Sequence, residues 1–291
     1  MGYDVEMKRT TLACIPFILL IVGMSNGQAS RPPVFSGPYF GQSPPGSEPQ
    51  RFAPGFVSTA GYDLTPTFAP ALDEVFFGRR ASEEGSDNRI YHSRMVDGRW
   101  QEPAPASFST GAAEYEAQFA PDGRTVYFNR GKLLFYSRRT DKGWSEARPV
   151  DAPAAEGMCA APARSGTLYF TAARNRVYGI FRSVCDGGRY LEPEIVVRMA
   201  AHPWVAPDES YLVFDKYEFS GGAQTSKLYA CFRRSDGTWS EAVELGKDVN
   251  ATGTELIPKV SPDGMYLFFQ RKVDGNTDIF WVEAKVISAV R

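Results

Sequence analysis

The sequence has no excess of basic residues and no long apolar run. Its 32 lysines and arginines are balanced by 34 aspartates and glutamates, which gives a formal net charge of -2. A nucleic-acid partner therefore has no electrostatic support. The longest apolar stretch, residues 12–24, is shorter than the ~20 residues that a membrane-spanning helix needs. We therefore expect no nucleic-acid partner and no membrane span in the mature chain.

Short catalytic motifs are also missing. The sequence contains no G-x-S-x-G nucleophile elbow, no H-E-x-x-H zinc motif and no glycine pattern for phosphates or dinucleotides. Histidine is scarce, with 2 residues in a chain of 291, so acid–base and metal chemistry is confined to very few positions. No motif identifies a reaction. We therefore expect neither an enzyme signature nor a cofactor.

The first 29 residues are typical of an export signal. Lys8 and Arg9 precede the apolar run, and small residues at positions 25–29 follow it. This order is that of a secretory signal peptide. Cleavage after Ala29 would release a secreted or periplasmic protein, and an uncleaved membrane anchor is the alternative.

Cysteine supplies no metal motif. Beyond the predicted signal are Cys159, Cys185 and Cys231, and no two of them have C-x-x-C spacing. An odd number of cysteines in an exported protein leaves at least one thiol without an intramolecular partner. The sequence therefore leaves two alternatives, one disulfide or three buried thiols.

What the sequence does contain is turn residues and aromatics, with 27 glycines, 21 prolines and 20 phenylalanines. Residues 30–50 are so rich in proline, glycine and serine that they predict a flexible or extended linker. Residues 51–291 are instead predicted to form one domain of many short strands joined by tight turns.

One sequence unit occurs five times in that domain. Each copy is an apolar strand, a turn of the Pro-Asp-Gly type and an aromatic strand, which is the pattern of a β-hairpin. A second hairpin with an aromatic outer strand follows each first one. The copies begin near these turn prolines: Pro70, Pro121, Pro162, Pro207 and Pro262.

Four strands per unit, at a spacing of 41 to 55 residues, predict an all-β fold, a β-propeller of about five four-stranded blades. A sixth, degenerate blade is the alternative. The fifth unit lacks its outer strand, which would leave an exposed sheet edge. Residues near Phe52 to Ser58 can supply that strand, so we expect the N-terminal strand to close the ring.

These repeats resemble the TolB-like group of WD40-like propellers. The resemblance rests on Ala120-Pro121-Asp122-Gly123, on Ser261-Pro262-Asp263-Gly264 and on the Trp-Ser-Glu strands at Trp144 and Trp239, and it covers most of residues 55–285. It implies a propeller and a habit of binding proteins, peptides or glycans, and it implies no reaction. The TolB propeller has six blades and an extra domain, whereas five units and no such domain are found in this sequence.

Charged residues recur at fixed distances from the turn prolines. Seven residues before the proline the sequence has Asp63, Glu114, Ala155, Ala200 and Glu255, and nine residues after it Arg79, Arg130, Ala172 (with one insertion), Lys216 and Arg271. Acid and base are then cross-strand neighbours in units one, two and five, and unit three has lost both together. We interpret them as ion pairs. Alternatively, the acids ring the channel mouth and bind a cation or a basic peptide.

A second series marks candidate ligand-binding residues. Five residues before the turn proline the sequence has Thr65, Glu116, Gly157, His202 and Ile257, with Glu156 adjacent. If the inner strands line the channel, His202 and several carboxylates converge as a metal or acid–base site. A packed histidine is the structural alternative. The candidate ligand-binding residues are Asp63, Glu114, Glu116, Glu156, His202 and Glu255.

The functional prediction is an exported binding module for a protein, peptide or glycan. We expect a monomer without a cofactor, with a divalent cation in the channel as the alternative. The ligand is expected at the channel mouth, near the loops of residues 81–88 and 217–226. A five-bladed glycoside hydrolase or lyase using the channel carboxylates is the competing hypothesis. Outer-strand aromatics are expected to pack between blades: Trp100, Trp144, Tyr190 and Trp239.

Overall fold

The computed structural model describes residues 35–80, 88–220 and 223–291. The predicted signal peptide, residues 1–29, and most of the predicted loop of residues 81–88 lie outside these ranges. Within them strands are the dominant secondary structure, and helical structure is limited to one 3-10 turn (Pro38–Gly41) and one short helix, α1 (Lys285–Ser288). The all-β prediction is confirmed.

The strands form five blades in chain order. Strand β1 (Gln50–Arg51) comes first and belongs to the last blade. The first blade contains β2 (Tyr62–Asp63), β3 (Thr67–Phe68), β4 (Glu74–Arg80), β5 (Arg89–Val96), β6 (Arg99–Trp100) and β7 (Ala104–Pro105). The second contains β8 (Glu114–Phe119), β9 (Thr125–Arg130), β10 (Leu133–Thr140), β11 (Gly143–Trp144) and β12 (Arg148–Pro149).

The third blade contains β13 (Met158–Pro162), β14 (Leu168–Arg174), β15 (Val177–Ser183), β16 (Cys185–Asp186), β17 (Arg189–Tyr190) and β18 (Glu194–Arg198). The fourth contains β19 (Ala201–Val205), β20 (Tyr211–Ser220), β21 (Ala223–Phe232) and β22 (Val243–Glu244). The fifth contains β23 (Leu256–Val260), β24 (Tyr266–Val273) and β25 (Asn276–Glu283). All pairings within the blades are antiparallel, as expected of sheets built from successive hairpins.

The N-terminal strand closes the ring, as predicted. Strand β1 pairs with β25, with Gln50 opposite Trp281, and the Phe52 N–H continues the ladder to the Ile279 carbonyl at 2.8 Å. The strand therefore starts two residues earlier than the predicted segment, and the chain turns immediately after Phe52. Because β1 covers the outer edge of β25, the last blade has no exposed strand edge there.

Residues 35–49, part of the predicted linker, pack against the propeller instead of acting as a tether. Tyr39 and Phe40 are buried in one aromatic cluster with Phe52 and Trp281. The Trp100 indole N–H donates to the Gly37 carbonyl at 2.8 Å. Proline and glycine content predicted the lack of strands correctly, but three aromatic side chains, Phe35, Tyr39 and Phe40, supply apolar surface that holds the segment in place.

The hydrophobic core is divided into clusters that lie between neighbouring blades. Trp144 of the second blade donates its indole N–H to the Glu74 carboxylate of the first blade at 2.9 Å and packs edge-on against Phe76. Trp239 of the fourth blade meets Tyr169 of the third edge to face. The prediction that the outer-strand aromatics pack between blades is confirmed at these positions.

The third blade corrects one detail of the repeat alignment. Pro162 is the last residue of β13 and pairs with Leu168, while the turn itself runs from Ala163 to Gly166, whose N–H bonds back to the Ala163 carbonyl at 3.1 Å. The position equivalent to Pro121 is therefore Arg164. If Pro162 is taken as the turn proline, the alignment of this blade with the other repeats is shifted by two residues.

Two further sequence expectations are resolved among the described residues. Cys159, Cys185 and Cys231 are unpaired thiols. The described part of the predicted loop, residues 217–220 and 223–226, belongs to the paired strands β20 and β21, in which Tyr217 pairs with Ser226. The described part of the chain has no helix that is long and apolar enough to cross a membrane.

We predict that the closing segment contributes a large part of the stability. Phe52 is completely buried, so Phe52→Ala is expected to lower the free energy of unfolding by about 3–5 kcal/mol through lost burial and the cavity left behind. Phe219→Ala is the matched control, because Phe219 is 73% exposed and its loss is expected to change stability by less than about 0.5 kcal/mol. Urea denaturation followed by fluorescence measures both, and equal midpoints for the two variants would contradict closure through Phe52.

Candidate functional site

The innermost strands carry the same irregularity in four blades. Each has a β-bulge, at which the register to the second strand shifts. In each bulge a non-glycine residue adopts the left-handed conformation, with φ between 48° and 59°. Such a backbone costs on the order of 1 kcal/mol and redirects the side chain. The bulged residues are Glu116, Cys159, His202 and Ile257.

With Thr65 of the first blade, these residues form what we call the bulge ring, one residue per blade. Side chains from the preceding blade bind the backbone of three of them. Asn129 accepts the Cys159 N–H at 2.8 Å, Thr171 accepts the His202 N–H at 3.0 Å, and Asp215 accepts the Ile257 N–H at 3.0 Å. Thr65 closes the series by donating its hydroxyl to the Ile257 carbonyl at 2.7 Å. The bulges are therefore part of the contacts between blades.

Three consecutive members of the bulge ring bear reactive side chains. The Glu116 carboxylate, the Cys159 thiol and the His202 imidazole lie within 4.8 Å of one another. His202 Nε2 is 3.3 Å from Glu116 Oε1. Cys159 is buried, while Glu116 and His202 keep 11% and 16% of their side chains exposed. The cluster is thus largely enclosed by protein and still partly open on one side.

Asp215 on β20 orients this cluster from behind. Its carboxylate is completely buried, and Oδ1 lies 2.7 Å from His202 Nδ1. The same oxygen accepts the Ile257 N–H. Because Nδ1 is engaged by Asp215, the Nε2 side of the imidazole is directed toward Glu116 and Cys159.

The electrostatics of the cluster follow from burial and from close charges. Burial raises the pKa of the Cys159 thiol to about 12, with a further contribution from Glu116, so the thiol is protonated at neutral pH. Burial works against a charged His202, but the Asp215 and Glu116 carboxylates raise its pKa well above the usual value. His202 thus lies between two carboxylates, with Nδ1 at Asp215 and Nε2 at Glu116.

Lys259 lies across the channel beside the cluster. Its ammonium donates to the Thr65 carbonyl at 3.0 Å and to the Ala117 carbonyl at 2.6 Å. Burial lowers its pKa to about 8, while the nearby Glu116 acts in the opposite direction. Lys259 also lines a cavity of about 210 Å³ at the end of the channel formed by the proline turns.

Two carboxylate oxygens of the cluster are buried without a hydrogen-bond partner among the described residues. They are Glu116 Oε2 and Asp215 Oδ2. A buried carboxylate oxygen without a donor is costly. Such atoms in a native fold commonly indicate a bound water or ion.

The acid–arginine pairs predicted from the repeats are present and form a second layer. Arg79 lies 2.6 Å from Asp63, Arg130 2.9 Å from Glu114 and Arg271 3.0 Å from Glu255, and all three acids are completely buried. Each arginine also donates to backbone carbonyls of the segment that enters its blade, such as Phe56, Phe108 and Val249. The ion-pair interpretation is therefore confirmed for units one, two and five.

Unit three, which lies within the described residues, has no acid–arginine pair at this position. Gly157 and Ala172 replace the acid and the base, and a side chain at Gly157 would collide with the Phe170 ring at 2.5 Å. Arg174, two residues further along β14, donates instead to the Pro153 carbonyl. The entering segment is thus held by an arginine without a paired carboxylate.

The six predicted site residues fall into three groups. Glu116 and His202 are brought together in the cluster. Asp63, Glu114 and Glu255 are held in the ion pairs. Glu156 is exposed, and its backbone carbonyl accepts from Arg174.

Sequence reasoning missed Cys159, Asp215 and Lys259. Cys159 was missed because the alignment on Pro162 placed Gly157 at its ring position. Asp215 stands eight residues after the turn proline Pro207. The equivalent residues are Gly78, Asn129 and Gln270 at the same spacing, and Thr171 in unit three when one inserted residue is allowed after Pro162. This position of the repeat lies on the buried face of the second strand and is polar in four units. That pattern could have identified Asp215 from the sequence.

A cavity of about 400 Å³ opens at the channel mouth opposite the proline turns. Its walls come from the first, fourth and fifth blades. The lining residues are Tyr62, Arg80, Tyr217, Gln224, Thr225, Ser226, Gly253, Thr254, Leu256, Gln270, Lys272 and Thr277. Most of them present hydroxyl or amide groups, and Leu256 is the aliphatic exception.

We predict that the acid–arginine pairs support the fold. Arg130→Met leaves the buried Glu114 carboxylate without its cation and is expected to cost about 3–5 kcal/mol. Adding Glu114→Gln to that variant is expected to recover part of the loss, because the uncompensated charge is gone. Lys227→Met, which removes an exposed pair with Glu244 at 3.2 Å, is the control and is expected to cost less than about 1 kcal/mol. Denaturant midpoints measure all three, and equal costs for Arg130→Met and Lys227→Met would contradict this role.

No protein-family model and no curated protein matches the chain, but solved structures match its fold. The TolB of Acinetobacter baumannii has 16% identity over 76% of this chain and a TM-score of 0.48, and the chain spans only 54% of that protein. A TolB of Agrobacterium tumefaciens has 14% identity, covering 77% of this chain and 78% of that one, with a TM-score of 0.50. The catalytic domain of the Coprinopsis cinerea GH62 α-L-arabinofuranosidase has 11% identity, covering 82% and 97%, with a TM-score of 0.53. The predicted resemblance to TolB-like propellers is thus confirmed for the fold, a five-bladed β-propeller.

Proposed function

We propose that the protein is an exported binding module that takes a short carbohydrate chain at the open channel mouth. The observation that carries this proposal is the cavity of about 400 Å³ lined mainly by hydroxyl and amide side chains. A sugar chain presents hydroxyl groups on all sides, so it needs many polar partners and a flat aromatic surface. Tyr62 and Tyr217 both line the cavity. The Arg80 guanidinium covers one face of the Tyr62 ring at 4.0 Å, so Tyr217 is the main aromatic surface for a sugar.

The depth of the site also favours a small or narrow ligand. Tyr217 follows Asp215 by two positions on β20, so both side chains lie on the same face of that strand. Burial is the main cause of the raised pKa of Tyr62, with smaller effects from the charges of Arg80, His202 and Glu116. A ligand held by these two tyrosines would therefore end close to the cluster. A folded protein partner would meet only the rim.

Binding without hydrolysis is favoured by the pairing of the acids. Asp63, Glu114 and Glu255 each face an arginine, and retaining or inverting hydrolysis needs two carboxyl groups free to act on the sugar. Glu116 and Asp215 both contact His202. Their unpartnered oxygens are the observation that keeps a glycoside hydrolase or lyase as the second candidate function.

Export is proposed on the order of charges and apolar residues in the first 29 positions. An exported protein would meet extracellular or envelope glycans directly. The fold is similar to that of an α-L-arabinofuranosidase catalytic domain, which supports the choice of a carbohydrate ligand. The choice of a carbohydrate as the ligand class rests on the residues that line the cavity of this chain.

We predict that neutral or acidic oligosaccharides bind at the mouth and that Tyr217→Ala lowers their affinity at least tenfold, since it removes a wall of the cavity. Tyr136→Ala is the matched control, because Tyr136 is half-buried on the third strand of the second blade and is absent from the cavity lining. We expect it to change the affinity less than twofold. Isothermal titration with a panel of short oligosaccharides measures this.

Failure of every oligosaccharide to bind, or equal affinity of the two tyrosine variants, would overturn the proposal. Binding of an unrelated peptide set with the same dependence on Tyr217 would replace the carbohydrate by a peptide. Release of reducing ends during the titration would move the assignment to the hydrolase, and Glu116→Gln would then be expected to stop that release.

A further inference from the structure

We propose that Glu116, Cys159 and His202 form a zinc site in the channel, with Asp215 as the residue that positions the imidazole. The proposal is independent of the ligand at the mouth. It rests on one ligand atom from each of three consecutive blades, brought together by the same bulge in each blade.

The geometry fits a tetrahedral ion. Zinc binds imidazole nitrogen and carboxylate oxygen at about 2.0–2.2 Å and thiolate sulfur at about 2.3 Å, so neighbouring ligand atoms in a tetrahedron are about 3.4 Å apart. The distance between His202 Nε2 and Glu116 Oε1 is 3.3 Å. All three ligand atoms lie within 4.8 Å of one another, so small rotations of the side chains suffice to enclose an ion.

The arrangement behind the histidine is that of a metal ligand. Zinc-binding histidines commonly give their second ring nitrogen to a carboxylate, which fixes the ring and its tautomer. Asp215 Oδ1 holds His202 Nδ1 at 2.7 Å, and Asp215 is itself fixed by the Ile257 N–H. The imidazole is therefore oriented before any ion arrives.

Two buried oxygens without partners point independently to a cation. Glu116 Oε2 and Asp215 Oδ2 have no donor among the described residues. Glu116 is 89% enclosed and Asp215 completely so, judged from exposed side-chain fractions of 11% and 0%. A divalent ion bound beside Glu116 would directly compensate the charge of that carboxylate, whereas Asp215, on the Nδ1 side of the imidazole, would act only through His202.

The ligand set selects the type of ion. A thiolate, an imidazole and one carboxylate suit zinc, whereas calcium and magnesium require six or more oxygen ligands. Three protein ligands leave a fourth position for water or another small molecule, as in zinc sites that are open to solvent. The partial exposure of Glu116 and His202 places that position on the open side of the cluster.

Uptake of the ion displaces protons. Zinc binds cysteine as the thiolate and histidine through an unprotonated ring nitrogen, so Cys159 would release its thiol proton to solvent and His202 would bind through an Nε2 that carries no proton.

The test uses the full chain, purified with a chelator that is then removed. Titration with Zn²⁺ is expected to give about one ion per chain. Co²⁺ serves as the spectroscopic probe, because a cobalt–thiolate bond produces a charge-transfer band in the near ultraviolet that oxygen and nitrogen ligands do not produce. We expect that band in the wild-type protein.

Substitutions assign the ligands. Cys159→Ser is expected to abolish the cobalt band and to lower zinc affinity at least 100-fold. Cys185→Ser, the matched control in the same blade, is expected to keep the band and to change affinity less than twofold. Asp215→Asn is expected to keep the band while lowering zinc affinity about 10- to 100-fold, since it acts through His202.

Absence of the band in the wild-type protein would overturn the proposal, whatever the variants do. So would a band that survives Cys159→Ser in a protein shown by its melting curve in chelator to be folded. Neither result touches the carbohydrate proposal, which is tested at Tyr217 with metal-free protein.

Discussion

The structure depends on one recurring contact, in which a polar side chain on the second strand of one blade binds the backbone N–H of the bulged residue in the next. Asn129, Thr171 and Asp215 each make this bond. It satisfies a buried donor that the bulge has removed from its own sheet. Because the acceptor comes from the neighbouring blade, the bond fixes the rotation of one blade relative to the next. That rotation determines which side chains meet in the channel.

In this contact the backbone of the bulged residue supports the fold while its side chain is turned toward the channel. In three blades that side chain is Glu116, Cys159 or His202. The acid–arginine pairs hold the entering segments, so these three side chains are not needed for that contact. A cluster of ionisable groups can persist in the channel because the backbone around it is held by other residues.

The sequence was sufficient for the repeat, the ring closure and the three acid–arginine pairs, because each depends on spacing from a turn. It also placed Glu116 and His202 at one level of the channel. It failed for Cys159, since Pro162 is a strand residue although it resembles a turn proline, and a shift of two residues keeps the side-chain alternation intact. It also failed for residues 35–49, where proline content concealed the anchoring role of Tyr39 and Phe40.

A crystal structure that resolves β13 is the most direct test of the central claim, because the register of the third blade decides whether a reactive cluster exists. We predict that Met158 lies opposite Thr171, with Cys159 in a left-handed bulge and its sulfur facing Glu116 and His202. Electron density that places Gly157 at the bulge, with the Cys159 side chain turned out of the channel, would contradict the account.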